Sequence, residues 1–166
     1  MDRPIVNIDD LEYFPWGHGD RYEARIGRIS PRIGAQKLGY NITVLPPGKR
    51  AYPFHSHRVN EEMFFILEGS GMVRLGADEH AIRQGDVIAC PPCGPEMAHQ
   101  ILNTSETAEL RYLAVSTRLS PEIAEYPDSG KAAIYAELPA GPDGSSRSLR
   151  FVARDQASMA DYWEGE

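Results

Sequence analysis

The chain has 166 residues, of which 42% are hydrophobic and 25% charged, as is usual for a folded globular protein. This length fits one domain with short arms and allows a single core to be buried. The 17 basic and 24 acidic side chains leave a net charge of −7, which disfavours the phosphate contacts on which nucleic-acid binding depends.

The N-terminal sequence, MDRPIVNIDDLEYF, lacks the basic leader and apolar stretch of a secretion signal. No run reaches the roughly 18 apolar residues of a membrane span. We therefore expect a cytoplasmic protein that binds neither membranes nor nucleic acids.

Short alternations of apolar and polar residues, separated by glycine and proline, are typical of antiparallel β proteins. The sequence predicts eight strands, which in chain order lie at 23–29, 36–45, 62–67, 71–75, 80–82, 86–90, 98–103 and 110–117. Turn sequences between them include PPGKR, EGSG, RQGD and PPCGP. Helix signals are sparse, so the pattern indicates an all-β sandwich or barrel.

Beyond residue 120 the composition changes to SPEIAEYPDSGK and then LPAGPDGSSRS, which predicts surface loops and a linker. The end of the chain, from residue 148, predicts one more strand and a short helical turn. We divide the chain into an N-terminal arm over 1–40, which packs on the core or on a dimer partner, a core over 41–120 and a loop-rich C-terminal extension over 121–166.

Only two cysteines are present, Cys90 and Cys93, in the sequence CPPC. They are too few for a disulfide framework, and no second CxxC completes a zinc site. A redox CxxC usually opens a helix, whereas GPEM follows here. We interpret both as ordinary cysteines in a turn, and their role stays open.

Two of the five histidines, His55 and His57, are one residue apart. Residues two apart on a strand point to the same face, so both imidazoles would reach one site, where a metal ion is a suitable shared partner. A glutamate of the next strand and a distant histidine, for which His99 is available, could complete the site. Alternation turns one of Glu61 and Glu62 inward and the other outward, but it does not choose between them.

The stretch HSHRVNEEMFFILEG, at 55–69, resembles the first motif of the cupin superfamily, G(X)5HXH(X)3,4E(X)6G. Four residues separate His57 from Glu62, and six separate Glu62 from Gly69, so the motif selects this glutamate rather than its neighbour. Six residues rather than five separate Gly48 from His55. The departure lies in the loop before the histidines.

The stretch GDVIACPPCGPEMAHQILN, at 85–103, is similar to the second cupin motif, G(X)5PXG(X)2H(X)3N. Gly85 opens it, Pro92 begins its PXG after one extra residue, and His99 with Asn103 closes it. Four residues rather than two separate Gly94 from His99, an insertion in the turn that would border the site.

The resemblance implies a cupin double-stranded β-helix, which is a jelly-roll barrel of six to eight strands. It implies one divalent transition metal ion (Zn, Mn, Fe, Ni or Co), held by His55, His57, Glu62 and His99. The chain looks like a group of bacterial single-domain cupins, some of them labelled sugar-phosphate isomerases, and similar proteins often use such N-terminal arms to form homodimers. Because neutral imidazoles bind metal, we expect the affinity to fall as the pH drops through about 6.

We expect a metal-dependent enzyme that acts on a small polar metabolite, with isomerase or epimerase chemistry on a sugar or sugar phosphate favoured. An iron or nickel dioxygenase or a manganese decarboxylase is the alternative, and a non-catalytic small-molecule binding or sensing protein is the third. The substrate, the native metal and the general base stay open.

The catalytic residues stay unknown, and Tyr52, Tyr112 and Arg50 are the candidates. Tyr52 and Tyr112 could donate hydrogen bonds to a substrate, and Arg50 could bind a phosphate. The further cations that could anchor a phosphate are Lys49, Arg58 and Lys131. Apolar lining is expected from Phe64, Ile66, Ile101 and the strand at 110–117. The isolated His18 and His80 are interpreted as surface or hydrogen-bonded residues.

Overall fold

Strands dominate the protein, in agreement with the all-β prediction. The structure is a computed structural model that describes residues 4–154, 163 and 165. Within them the strands, in chain order, are β1 (Tyr13–His18), β2 (Tyr22–Arg28), β3 (Leu38–Leu45), β4 (Ser56–His57), β5 (Glu62–Glu68), β6 (Ser70–Leu75), β7 (Asp78–Arg83), β8 (Val87–Cys90), β9 (His99–Leu102), β10 (Leu110–Thr117), β11 (Glu122–Tyr126), β12 (Lys131–Leu138) and β13 (Arg147–Ala153).

Helical structure in the same residues is limited to short pieces. One α-helix, α1 (Ser30–Ile33), follows β2, and single 3₁₀ turns cover Ile8–Asp10, Pro95–Met97 and Pro127–Ser129. None of these described helices has the length and apolar character that a membrane-crossing helix requires.

Each of the eight predicted core strands is present with its ends within two residues of the predicted ones. The strand predicted near the C-terminus is β13, whereas the predicted helical turn lies largely outside the described residues. The sequence analysis missed β1, β4, β11 and β12. It was wrong about residues 122–126 and 131–138, which form β11 and β12 rather than surface loops. Their buried positions carry the small residues Ala124 and Ala133, which give a weak hydrophobic alternation.

The strands form three sheets. A six-stranded sheet has the order β1-β2-β3-β10-β5-β8, a four-stranded sheet β13-β12-β11-β4, and a three-stranded sheet β7-β6-β9. A bridge between His55 and His99 connects the last two. One hydrophobic cluster receives side chains from both the six-stranded and the three-stranded sheets, among them Leu45, Ile66 and Val73. This cluster is the interior of the barrel.

A second hydrophobic cluster covers the outer face of β3. Ile42 and Val44 of this strand pack with Leu11 and Ile29, and Val6 contacts the same cluster. The described part of the N-terminal arm therefore packs on its own barrel. Its expected contact with a second subunit stays a prediction, as do the domain limits at residues 40 and 120.

The turn between β5 and β6 explains the glycine that ends the first motif. Gly69 has φ +84°, a conformation that L side chains rarely adopt, and a Cβ at this position would lie 2.3 Å from the carbonyl oxygen of Glu109. Only glycine fits this turn without a shift of the backbone. This turn determines where β5 ends, and it therefore sets the position of Glu62 relative to the neighbouring strands.

Candidate metal centre

Four side chains that are separated in sequence converge in the barrel: His55, His57, Glu62 and His99. Each offers one ligand atom, and these four atoms all lie within 4.8 Å of one another. Glu62 Oε2 is 2.8 Å from His99 Nε2, 3.5 Å from His57 Nε2 and 3.7 Å from His55 Nε2. The structure thus brings together all four residues named from the sequence, in an arrangement that could hold a metal ion.

Strand β5 supplies the carboxylate by simple alternation. Glu62 points inward with the buried Phe64 and Ile66, whereas the neighbouring Glu61 is exposed. Cys90 lies opposite Glu62 on β8. Of the two glutamates between which periodicity did not choose, Glu62 is thus the one that points into the barrel.

Backbone hydrogen bonds hold two of the histidines together. The His55 N–H donates to the His99 carbonyl at 3.1 Å, and the His99 N–H donates to the His55 carbonyl at 2.7 Å. His55 Nδ1 lies 2.8 Å from the carbonyl oxygen of Pro53. Because a carbonyl only accepts, Nδ1 carries the proton and Nε2 presents its lone pair to the centre.

The imidazole of His57 supports a metal at this position. Both of its ring nitrogens are buried without a hydrogen-bond partner, although buried polar atoms in proteins are nearly always satisfied. A bound cation would satisfy Nε2, which faces Glu62. Three imidazoles and one carboxylate form a donor set that suits divalent transition metals. The residues present therefore fit the expected ion.

Glu122, at the start of β11, is a buried carboxylate beside this centre. Its Oε2 lies 3.6 Å from His57 Nδ1. The same carboxylate accepts backbone N–H bonds from residues 58, 59, 60 and 123, at 3.2, 3.2, 2.8 and 2.8 Å, and a bond from the Asn60 side chain. Glu122 thus holds residues 58–60, which follow His57, in place through hydrogen bonds. Sequence analysis missed Glu122 because no local pattern distinguishes it.

The charges of the four residues depend on one another. Burial acts to raise the pKa of Glu62, but the nearby imidazoles of His57 and His99 outweigh burial and hold that pKa well below its usual range. Burial, with help from the charge of His99, lowers the pKa of His55 to about 4. For His57, burial is outweighed by the Glu62 and Glu122 carboxylates, and its pKa is raised.

A cleft of about 570 Å³ includes His55 in its wall. The Tyr126 ring stacks against the His55 imidazole, with the ring centroids 6.2 Å apart and an interplanar angle of 21°. This volume is in the range of small-molecule sites. Strands β1, β11, β12 and β13 contribute to the wall, which also includes the exposed His18. From the sequence, His18 was interpreted as a surface or hydrogen-bonded residue.

The three candidate catalytic residues occupy different surroundings. Tyr52 lines the cleft, with its ring centroid 6.4 Å from that of His55, and burial followed by the charge of Glu62 raises its pKa to about 12. Tyr112 is buried in the barrel core, where burial raises its pKa. Arg50 Nη1 is within 3.4 Å of Gln100 Oε1. Of the three, Tyr52 is in direct contact with the cleft.

The candidate phosphate anchors also differ in their partners. Lys49 lies 3.5 Å from a carboxylate oxygen of Glu23, and Arg58 pairs with Glu125 at 2.5 Å. Lys131 lines the cleft. The structure thus favours Lys131 among the cations named from the sequence.

The two cysteines are free. Cys90 is buried, and burial, with a smaller effect of Glu62, raises the pKa of its thiol to about 12. Cys93 Sγ donates to Glu96 Oε1 at 3.0 Å. Both thiols are therefore poor nucleophiles at neutral pH, in keeping with their interpretation as ordinary cysteines.

Comparison with known proteins gives a partial match to one family model and to several relatives. Residues 41–116 match the family model described as Cupin domain, a range that contains all four residues of the centre. An uncharacterized protein of Methanocaldococcus jannaschii is 33% identical over 60 residues, which make up 36% of this chain and 47% of that protein. The chain thus spans about half the length of this relative.

Two solved structures share the fold. A protein of Silicibacter pomeroyi named as a sugar phosphate isomerase of the cupin superfamily is 22% identical, with a TM-score of 0.73 and coverage of 96% of this chain and 98% of that one. A predicted oxalate decarboxylase of Thermotoga maritima is also 22% identical, with a TM-score of 0.58 and coverage of 69% and 99%. At these identities the similarity shows the fold alone.

Proposed function

The chain carries a Cupin domain and has the all-β cupin fold, and from this premise we propose that it is a metal-dependent enzyme acting on a small polar metabolite. Isomerase or epimerase chemistry on a sugar or sugar phosphate is the favoured reaction. The observation that carries the proposal is the junction of two features at His55, which belongs both to the cluster of four ligand atoms and to the wall of the 570 Å³ cleft.

In this proposal His55, His57, Glu62 and His99 hold one divalent ion. When bound, such an ion supplies a Lewis acid for a carbonyl or hydroxyl oxygen of the substrate. The protein prepares the site for it, because the low pKa of Glu62 keeps the carboxylate ionised and the low pKa of His55 keeps that imidazole neutral. Both residues are then in the state that a metal ligand requires.

The other residues of the cleft bind and orient the substrate. With its pKa raised to about 12, the Tyr52 hydroxyl stays protonated at neutral pH and donates a hydrogen bond rather than acting as a base. The buried Phe64 and Ile101 belong to the apolar core, which limits the access of water from the interior. These features suit a polar metabolite bound with one end at the metal.

The choice of an isomerase rests on two further considerations. The S. pomeroyi protein, which shares the fold over 96% of this chain, is named as a sugar phosphate isomerase. In addition, the cleft contains cations beside a metal centre, an arrangement that suits a substrate with both hydroxyl groups and a phosphate. Neither consideration excludes a manganese decarboxylase, an iron or nickel dioxygenase or a non-catalytic binder, so the experiment must separate them.

The experiment combines metal analysis with a test of proton exchange. Protein purified without metal-affinity chromatography is analysed for metals beside His57→Ala and, as a matched control, His80→Ala, which changes an exposed histidine. Aldose and ketose phosphates are then incubated with each protein in D₂O and followed by proton NMR. We expect one metal ion per wild-type and His80→Ala chain, little in His57→Ala, and isomer formation with deuterium incorporation only in the two metal-containing proteins.

Other outcomes would point elsewhere. Stoichiometric iron with oxygen consumption would replace the isomerase by a dioxygenase, and release of carbon dioxide from small carboxylic acids would replace it by a decarboxylase. Equal, metal-free preparations of wild type and His57→Ala would contradict the metal-dependent enzyme altogether and favour a binding protein.

A further inference from the structure

Two cations, Lys131 and Arg150, line the cleft that contains His55. In the four-stranded sheet Tyr126 lies opposite Lys131, and Tyr135 lies opposite Arg150. His57 lies opposite Ala124 in the same sheet. Because paired residues, and residues two apart on one strand, share a face of a sheet, both cations belong to the face that carries His57.

Tyrosine rings hold the two cations in place. Lys131 Nζ is 5.6 Å from the centroid of the Tyr126 ring, and Arg150 Cζ is 5.5 Å from that of Tyr135. The two tyrosine hydroxyl oxygens are 3.2 Å apart. A ring face attracts a cation without occupying its N–H donors, so both cations keep donors for a ligand.

Lys131 is also close to the candidate metal centre. Tyr126 is in ring contact with both groups, at 6.2 Å from the His55 ring centroid and 5.6 Å from Lys131 Nζ. Lys131 Nζ therefore lies within about 12 Å of the His55 ring. A single small metabolite can span such a separation.

The acidic residue in the same cleft wall does not neutralise them. Asp128 accepts two hydrogen bonds from Arg74, at 2.9 and 3.1 Å. Its carboxylate is therefore paired with Arg74 rather than with Lys131 or Arg150. Among the described residues, neither Lys131 nor Arg150 forms an ion pair with a carboxylate. The described wall thus has two cations available for an anion from solution.

We propose that Lys131 and Arg150 form an anion subsite that binds the phosphate monoester of a substrate whose other end reaches the His55, His57, Glu62 and His99 centre. A phosphate monoester has a charge of about −1.5 to −2 at pH 7 and three acceptor oxygens, which match one ammonium and one guanidinium group. The inference rests on the proposed function and narrows it, because it makes the substrate a phosphorylated sugar rather than a neutral one.

The test measures phosphate binding in variants that remove either the anion subsite or the candidate metal site. Calorimetric titrations with inorganic phosphate, ribose 5-phosphate and ribose are carried out on wild type, on the double variant Lys131→Met with Arg150→Met, and on His57→Ala. The matched control is Lys37→Met with Arg147→Met, which removes two exposed cations outside the cleft and changes the net charge equally. Circular dichroism verifies that each variant is folded.

We expect the cleft double variant to bind inorganic phosphate and ribose 5-phosphate at least tenfold more weakly than wild type, and the control to change by less than about twofold. Phosphate binding should persist in His57→Ala. Unchanged binding by the cleft double variant, or no phosphate binding by wild type, would overturn the subsite. Loss of phosphate binding in His57→Ala alone would assign the phosphate to the metal, which overturns the subsite but leaves the metal-dependent enzyme intact.

Discussion

Replacement of Glu122 by glutamine is expected to weaken metal binding although Glu122 is outside the set of four candidate ligand residues. Its carboxylate lies 3.6 Å from His57 Nδ1 and accepts hydrogen bonds from the backbone N–H groups of residues 58–60 and 123. Glutamine has nearly the same size but only one acceptor oxygen. The substitution therefore changes hydrogen bonding and charge while it leaves the packing nearly unchanged.

The magnitude follows from the individual contacts. If the amide oxygen of Gln takes the place of Oε1, it keeps the N–H groups of residues 58, 59 and 123. The amide nitrogen then faces two donors of Asn60, its backbone N–H and its side-chain amide. Buried donors without an acceptor cost about 1–3 kcal/mol each. We expect a loss of about 3 kcal/mol, or roughly 6–12 °C in Tm for a chain of this size.

Metal affinity should fall with stability. Loss of an outer carboxylate beside a metal-binding histidine typically lowers metal affinity about 10- to 100-fold. Competition of Co²⁺ or Zn²⁺ with a chelating dye measures the affinity, and thermal unfolding followed by circular dichroism measures the stability. Glu125→Gln is the control, because Glu125 is on the same strand and pairs with the exposed Arg58, and exposed ion pairs contribute little.

Wild-type metal affinity and an unchanged Tm in Glu122→Gln would refute this account of the second carboxylate. An equal loss in Glu125→Gln would also refute it, because the effect would then follow from the change of net charge and not from the contacts of Glu122. If Glu122→Gln is too unstable at 25 °C, the dye competition at 10 °C on the folded fraction still separates the two variants.

Three further predictions address pH, backbone strain and assembly. Because the pKa of His57 is raised above 6.5, its imidazole stays protonated in the metal-free protein below that pKa and cannot bind a metal. Metal affinity should therefore increase as the pH rises through this pKa, and it should be nearly absent at pH 4.5. Metal that is retained in dialysis at pH 4.5 would contradict this. Gly69→Ala should lower the free energy of unfolding by at least about 2 kcal/mol. The loss should be larger than for Gly85→Ala, because both glycines have positive φ but an added Cβ would contact other atoms only at Gly69. Equal denaturant midpoints for the two variants would contradict the predicted clash. The chain should be a homodimer, with a surface such as the exposed Phe151 of β13 available for contact; a monomer in light scattering at micromolar concentration would contradict this.

The core strands could be predicted from sequence because alternation and turn residues are local properties. Residues 62–67 alternate between the two faces of one strand, and Gly69 ends it at a turn that only glycine fits. The cupin resemblance depended on the same local spacings. It singled out Glu62 and named the four residues that the fold brings together.

The C-terminal strands were less predictable. Their buried residues are small, as with Ala124 and Ala133, and their partners are distant, since β11 pairs with β4 more than 60 positions away. A short strand with a weak alternation resembles a loop until a neighbouring sheet edge is known. That is why residues after 120 were assigned to loops.

The sequence by itself determined the β fold and the chemical types of the side chains in the candidate metal centre, because alternation, turn residues and motif spacing act over a few residues. Tertiary structure alone decided which groups surround that centre. Glu122 reaches His57, and Lys131 and Arg150 share a cleft with His55, because antiparallel pairing brings β4, β11, β12 and β13 into one sheet. The physical reason is that pairing between distant strands depends on the folding of the whole barrel. A short stretch of sequence therefore does not predict which strands pair.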